Sequence, residues 1–128
     1  MYPAEETLWF VAGDPVFNDP ALRAGLRRLV GVKVRMVPRE VASPFWWRSQ
    51  PDLLLYGASA LQPVHPLVMR ARAWPTRSVL VTPSWATAPG EEDADYVLPL
   101  PQSAGRIAYS LRRALGEPRV PTIELMGA

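Results

Sequence analysis

Five short apolar runs, each separated from the next by enough chain to hold a crossover, constrain this sequence more than any motif in it. They are Thr7-Leu8-Trp9-Phe10-Val11, Val32-Lys33-Val34-Arg35-Met36-Val37, Leu53-Leu54-Leu55, Ser78-Val79-Leu80-Val81-Thr82 and Tyr96-Val97-Leu98. β-Branched and aromatic residues favour the extended state, and glycines or prolines bound most of the runs. No hairpin signal joins any two of them, so the connections are crossovers and the strands parallel. The third run is too continuously apolar to face water on one side. The second alternates apolar and polar, as a half-exposed strand does. Strands alternating with helix-length connections predict an α/β domain with helices on both faces of one sheet.

The helices are placed by caps and by period. Asn18, Asp19 and Pro20 form a helix start, because a carboxylate or amide caps free backbone N–H groups and proline suits the first turn. Leu22, Leu26 and Leu29 then recur at helical spacing, and Gly31 stops the segment. A second helical segment lies within residues 63–74, with Leu67, Val68 and Ala71 turned inward and Pro75 after it. The last spans residues 103–115 with Ile107, Leu111 and Leu115 in register. Pro44 breaks any helix over residues 39–50, and residues 85–93 are mostly loop with at most one helical turn. A single domain over residues 1–116 is expected, followed by a tail over 117–128. That tail reads as disordered, or as a strand or docking peptide centred on Ile123, Glu124, Leu125 and Met126.

Composition removes several function classes. At 48% hydrophobic and 20% charged, 128 residues suffice for one core and argue against disorder. No apolar run approaches the roughly 20 residues of a membrane span. The first six residues, Met1-Tyr2-Pro3-Ala4-Glu5-Glu6, lack the basic start of a signal peptide. The chain contains no cysteine, which excludes disulfides, thiol nucleophiles and thiolate metal sites. A cytoplasmic protein with no membrane partner is expected. A net charge of +2 implies no nucleic-acid partner by itself, and nothing resembles a helix-turn-helix or an RNA-binding aromatic motif.

Two strings give the pattern a family likeness. Pro51-Asp52-Leu53-Leu54-Leu55 enters the third strand, and Ala94-Asp95-Tyr96-Val97-Leu98-Pro99 forms the fifth. With the element order over residues 7–116, they resemble the receiver domain of bacterial response regulators. That resemblance implies a flavodoxin-like (βα)5 three-layer sandwich with five parallel strands in order 2-1-3-4-5. Receiver chemistry needs an acidic pair after the first strand to hold Mg²⁺ and an aspartate ending the third to accept the phosphoryl group. It also needs a Thr or Ser ending the fourth strand and a Lys ending the fifth, because a divalent cation and phosphoryl oxygens require hard ligands and cationic donors.

Most of that set is absent here. The acidic pair falls on Ala12 and Gly13, with Asp14 next door. The acceptor falls on Gly57, and the lysine on Pro99 or Leu100. Thr82 alone matches the switch hydroxyl. The likeness is therefore to pseudo-receivers, degenerate members that work through protein contacts.

Other residues carry weaker signals. His65 is the single histidine, and no serine sits in a nucleophile-elbow pattern, so capping or surface roles outweigh catalysis. Glu91, Glu92, Asp93 and Asp95 are grouped acids that suit a cation, yet such a loop is usually solvated. Gly57-Ala58-Ser59-Ala60 is small and neutral, and the loop over residues 12–19 sets two aspartates against any phosphate. Arg23, Arg27 and Arg28 on the first helix, with Arg106, Arg112 and Arg113 on the last, make an arginine-rich face. Phe45, Trp46, Trp47 and Trp85 are more large aromatics than one core requires, and aromatics mark interfaces.

The sequence reading is a non-enzymatic, phosphorylation-independent receiver-like module with no catalytic residue, metal or cofactor. It is expected to bind protein partners and to form a homodimer through the last strand and helix. The interface candidates are Trp46, Trp47, Trp85, Tyr96, Arg106, Tyr109 and Arg113. The alternative is a flavodoxin-like domain binding a small molecule or nucleotide.

Overall fold

The computed structural model describes residues 6–40, 50–62, 64–85 and 89–116. Strands β1 (Glu6–Val11), β2 (Val32–Val37), β3 (Leu53–Tyr56), β4 (Arg77–Thr82) and β5 (Tyr96–Pro99) form one sheet. All four pairings are parallel and the order is β2-β1-β3-β4-β5. The α/β, receiver-like architecture expected from the alternation is therefore the one observed. β3 sits at the centre, and all four of its residues are buried.

The sheet separates two apolar layers. Leu8, Leu53, Leu55, Val79, Val81 and Leu98 point to one side. There they meet Leu22 and Leu26 of α1 (Pro20–Arg27) and Ile107 and Leu111 of α3 (Ala104–Gly116). Gly25 sets how closely these helices approach, since a Cβ there would stand 2.8 Å from Ile107 Cγ2. On the other side Trp9, Val11, Leu54, Tyr56 and Leu80 pack on Leu67, Val68 and Ala71 of α2 (Pro66–Ala71). Those three are the inward residues that the helical period picks out.

Caps fall where proline and its neighbours place them. Asp19 accepts the Leu22 amide at 3.0 Å ahead of Pro20. His65 caps α2 in the same way. Its Nδ1 accepts from the Leu67 amide at 3.1 Å and its Nε2 lies 3.1 Å from the Pro38 carbonyl, which fixes the tautomer with the proton on Nε2. The ring is buried, which removes the surface role and keeps the capping one.

Among the described residues the β4–β5 connection is as expected, a loop with at most one helical turn over residues 85–93. Between β4 and β5 the described residues hold a 3-10 turn, Glu91–Asp93, and no α-helix. Pro83, Pro89 and Gly90 crowd that connection, and each disfavours helix propagation. β2 is where the fold departs from expectation: its four central residues are exposed, so its alternation is not matched by a covered face. Phe45, Trp46 and Trp47 lie outside the described residues, as does the tail over 117–128.

Candidate functional site

The C-terminal ends of the strands converge where Asp14, Gly57, Thr82 and Pro99 meet. In an open parallel sheet this end collects the loops that bind ligands. β1 ends at Val11 and is held to β2 by the Ala12 amide, which donates to the Val37 carbonyl at 2.8 Å. Gly13 then takes a left-handed φ of +98°, which turns the chain inward and aims Asp14 back over the sheet.

Asp14 is the centre of the site. Its Oδ1 accepts the Val16 amide at 3.0 Å, capping the 3-10 turn Pro15–Asn18. Its Oδ2 accepts both the Ser59 amide at 3.0 Å and the Ser59 hydroxyl at 2.7 Å. The residue is only 9% exposed. Burial pushes the carboxyl up, but the Ser59 and Val16 hydrogen bonds, with Arg39 nearby, outweigh it and hold the group below the ordinary aspartate range.

That carboxylate stands in the space a side chain at position 57 would need. A Cβ on Gly57 would lie 2.2 Å from Asp14 Oδ2 and 2.3 Å from its Cγ. Gly57 has extended backbone, φ −102° and ψ 179°, which any residue adopts. Glycine is required by the neighbouring carboxylate and not by the backbone. The absent side chain at 57 and the displaced acid at 14 are thus one feature, a carboxylate delivered from β1's loop into β3's place.

The remaining switch positions are also engaged. Thr82 is buried, and its hydroxyl donates to the Ser84 carbonyl at 2.7 Å. Pro99 pairs with Thr82 in the sheet, and Leu100, also buried, donates its amide to the Thr82 carbonyl at 2.8 Å. An apolar side chain therefore follows β5 where receiver chemistry needs a cation. Ala12 and Gly13 offer no oxygen side chain. Both Asp14 oxygens are already hydrogen-bonded, so a cation would have to displace backbone and hydroxyl donors.

Beside Asp14 lies an open cleft of about 620 Å³, walled by Pro15, Ala58, Pro83, Leu100 and Pro101 with Asp14 and Asp19 at its edge. Its walls are apolar and its charges negative, which opposes a phosphate. The exposed Trp85 is tied down next to it, its indole N–H donating to the Pro101 carbonyl at 3.1 Å.

The other interface candidates separate into groups. Tyr96, Tyr109 and Arg113 line one recess of about 330 Å³ between β5 and α3, together with Leu98, Gln102 and Ser110. Arg106 shares the face of α3 with Tyr109 and Arg113 by helical spacing, outside the recess lining. Trp85 is not in the recess lining, although it bonds Pro101 beside Gln102, and Trp46 and Trp47 lie outside the described residues. The arginine-rich face is partly neutralised. Arg112 bridges to Glu6 at 3.1 Å and donates to the Val30 carbonyl, while Arg23 donates to the Phe17 carbonyl at 3.0 Å.

The acidic cluster is dispersed in the same way. Asp95 accepts the Ser78 amide at 2.8 Å, and Asp93 lies 3.7 Å from Arg72. Among the described residues no group of three or more metal-binding side chains converges.

The sequence reading named Asp14 beside the acidic-pair positions but gave it neither its place over Gly57 nor its partner Ser59. The signals available were Asp14-Pro15, a turn-forming pair, and the hydroxyl two residues beyond Gly57.

The sheet order and the site at its C-terminal edge define a receiver-like, flavodoxin-like α/β domain. A crystal structure of a candidate response regulator from Chloroflexus aurantiacus J-10-fl superimposes with a TM-score of 0.62 at 21% identity, covering 89% of this chain and 100% of that one. At that identity the likeness is one of fold. No protein-family model matches the chain, and no curated protein matches it. Among the described residues no helix is long and apolar enough to cross a membrane.

Proposed function

We propose that this domain is a phosphorylation-independent receiver-like module that acts in bacterial regulation through protein contacts and not through catalysis. One observation carries the reading: the Asp14 carboxylate occupies the volume of a side chain at position 57, with both oxygens satisfied by Val16 and Ser59. A receiver needs that volume for an aspartate that becomes an acyl phosphate. Asp14 does not replace it, because its oxygens already accept from Val16 and Ser59 and the residue that follows β5 is the apolar Leu100, not a lysine that would stabilise the transferring group. The site is a fixed, hydrogen-bonded plug.

A plugged site leaves surfaces to do the work. The recess between β5 and α3 offers Tyr96, Tyr109 and Arg113 together, with Arg106 along the same helix face. Tyr109 is 65% exposed. Large aromatics and arginines in a partly formed recess are the residue types that anchor interfaces. β5 also ends the sheet, so a second copy meeting this face forms an isologous homodimer. The proposed module works in the cytoplasm.

Incubation with acetyl phosphate and Mg²⁺ tests the reading. The intact mass is expected to stay unchanged. A stable gain of one phosphate overturns it. Sedimentation at micromolar concentration is expected to show a dimer, and monomer alone would remove the β5–α3 contact from the proposal.

A further inference from the structure

The outer edge of β2 is the longest uncovered strand edge in the described sheet. β2 pairs with β1 alone, runs for six residues without proline, and exposes Val34 and Met36. The Val37 carbonyl faces β1, where it accepts the Ala12 amide. Backbone groups alternate along a strand, so those of Val34 and Met36 turn outward. Such an edge is a template for another strand.

The chain carries a segment that matches this edge. Pro118 and Pro121 are poor continuations of a helix, and α3 ends at Gly116. Thr122-Ile123-Glu124-Leu125-Met126 then alternates as a strand does. With Ile123 and Leu125 on the side of Val34 and Met36, Glu124 falls on the side of Lys33 and Arg35. The edge is basic where the segment is acidic, a favourable cross-strand pairing.

Geometry brings the two together. α3 runs antiparallel to the strands and ends near the start of β2, since Arg112 reaches the Val30 carbonyl just before it. Residues 117–122 span up to about 20 Å when extended, at roughly 3.3 Å per residue. Entering from that end, the segment runs parallel to β2. The opposite edge fits it worse: β5 has four residues, ends in Pro99, which has no N–H, and follows Glu91, Glu92, Asp93 and Asp95.

We infer that residues 122–126 add to the outer edge of β2 in the same chain, as a sixth parallel strand that seals the sheet on that side. In this register the inward-facing amides of the segment belong to Glu124 and Met126.

Amide hydrogen exchange on the full chain tests the inference. The Val34 and Met36 amides are expected to exchange at least about tenfold more slowly in the wild type than in Glu124→Pro, independent of protein concentration. Lys33→Glu should speed their exchange, and adding Glu124→Lys in that background should slow it again. Equal, rapid exchange in wild type and Glu124→Pro would overturn the proposal, leaving a bare edge guarded by its charges. Protection that rises with concentration would also overturn it, because the strand would then come from a second copy.

Discussion

Replacing Gly57 with alanine puts a carbon where the Asp14 carboxylate already stands. The added Cβ would sit 2.2 Å from Oδ2 and 2.7 Å from Oδ1, so the carboxylate must leave or the end of β3 must move. Leaving breaks the bonds from the Ser59 hydroxyl, the Ser59 amide and the Val16 amide. Hydrogen bonds to a charged group are worth about 1.5–3 kcal/mol. Moving the strand instead is overpacking at a buried position, typically about 1–3 kcal/mol.

The cheaper route sets the loss, so Gly57→Ala should lose up to about 3 kcal/mol, or roughly 10 °C in Tm for a domain of this size. Asp14→Ala alone should cost about 2–3 kcal/mol through its orphaned amides. With Asp14 gone the methyl has room, so Gly57→Ala in that background should fall within about 0.5 kcal/mol of neutral. The urea-denaturation cycle should then show a coupling of about 2 kcal/mol or more, well beyond the additivity of independent sites. A stable Gly57→Ala protein, or two losses that simply add, would refute the reasoning.

Three further outcomes follow from the same structure. His65→Ala should lose about 1–2 kcal/mol in urea titration through the α2 cap and the contact to Pro38, with His65→Asn recovering part of it as a capping residue. Asp14 has a folded-state pKa below its ordinary value of 3.8, so its contribution is present above that value and lost as pH falls below it; Asp14→Asn should lose less stability than the wild type across that acid range. Trp85→Ala removes a 61% exposed side chain and should change stability by no more than about 0.5 kcal/mol, while weakening partner binding by about 2 kcal/mol if the indole anchors an interface.

The parallel sheet was legible because strand burial writes itself into sequence, and its order followed from the receiver resemblance. Leu53-Leu54-Leu55 is apolar on both faces since helices cover both, and proline or glycine bounds most elements. Capping was legible for the same local reason at Asp19 and partly at His65. The plug was not, because Asp14 and Gly57 are 43 positions apart and their relation is a shared volume. A glycine in the acceptor position reads as a deletion of chemistry, and only the geometry shows that another residue's carboxylate fills the gap. The near-absence of helix among the described residues between β4 and β5 was legible too, from the density of prolines and Gly90 there. The exposure of β2 was not visible, since alternation looks alike whether or not a layer covers the strand.

The proposed function requires the Asp14 carboxylate to close the site to both Mg²⁺ and a phosphoryl group. Amide NMR spectra recorded with Mg²⁺ and beryllofluoride, a mimic of the acyl phosphate, test it most directly. The Val16, Ser59, Thr82 and Leu100 resonances are expected to stay in place at millimolar Mg²⁺, with and without beryllofluoride. A saturable shift centred on those four residues would contradict it.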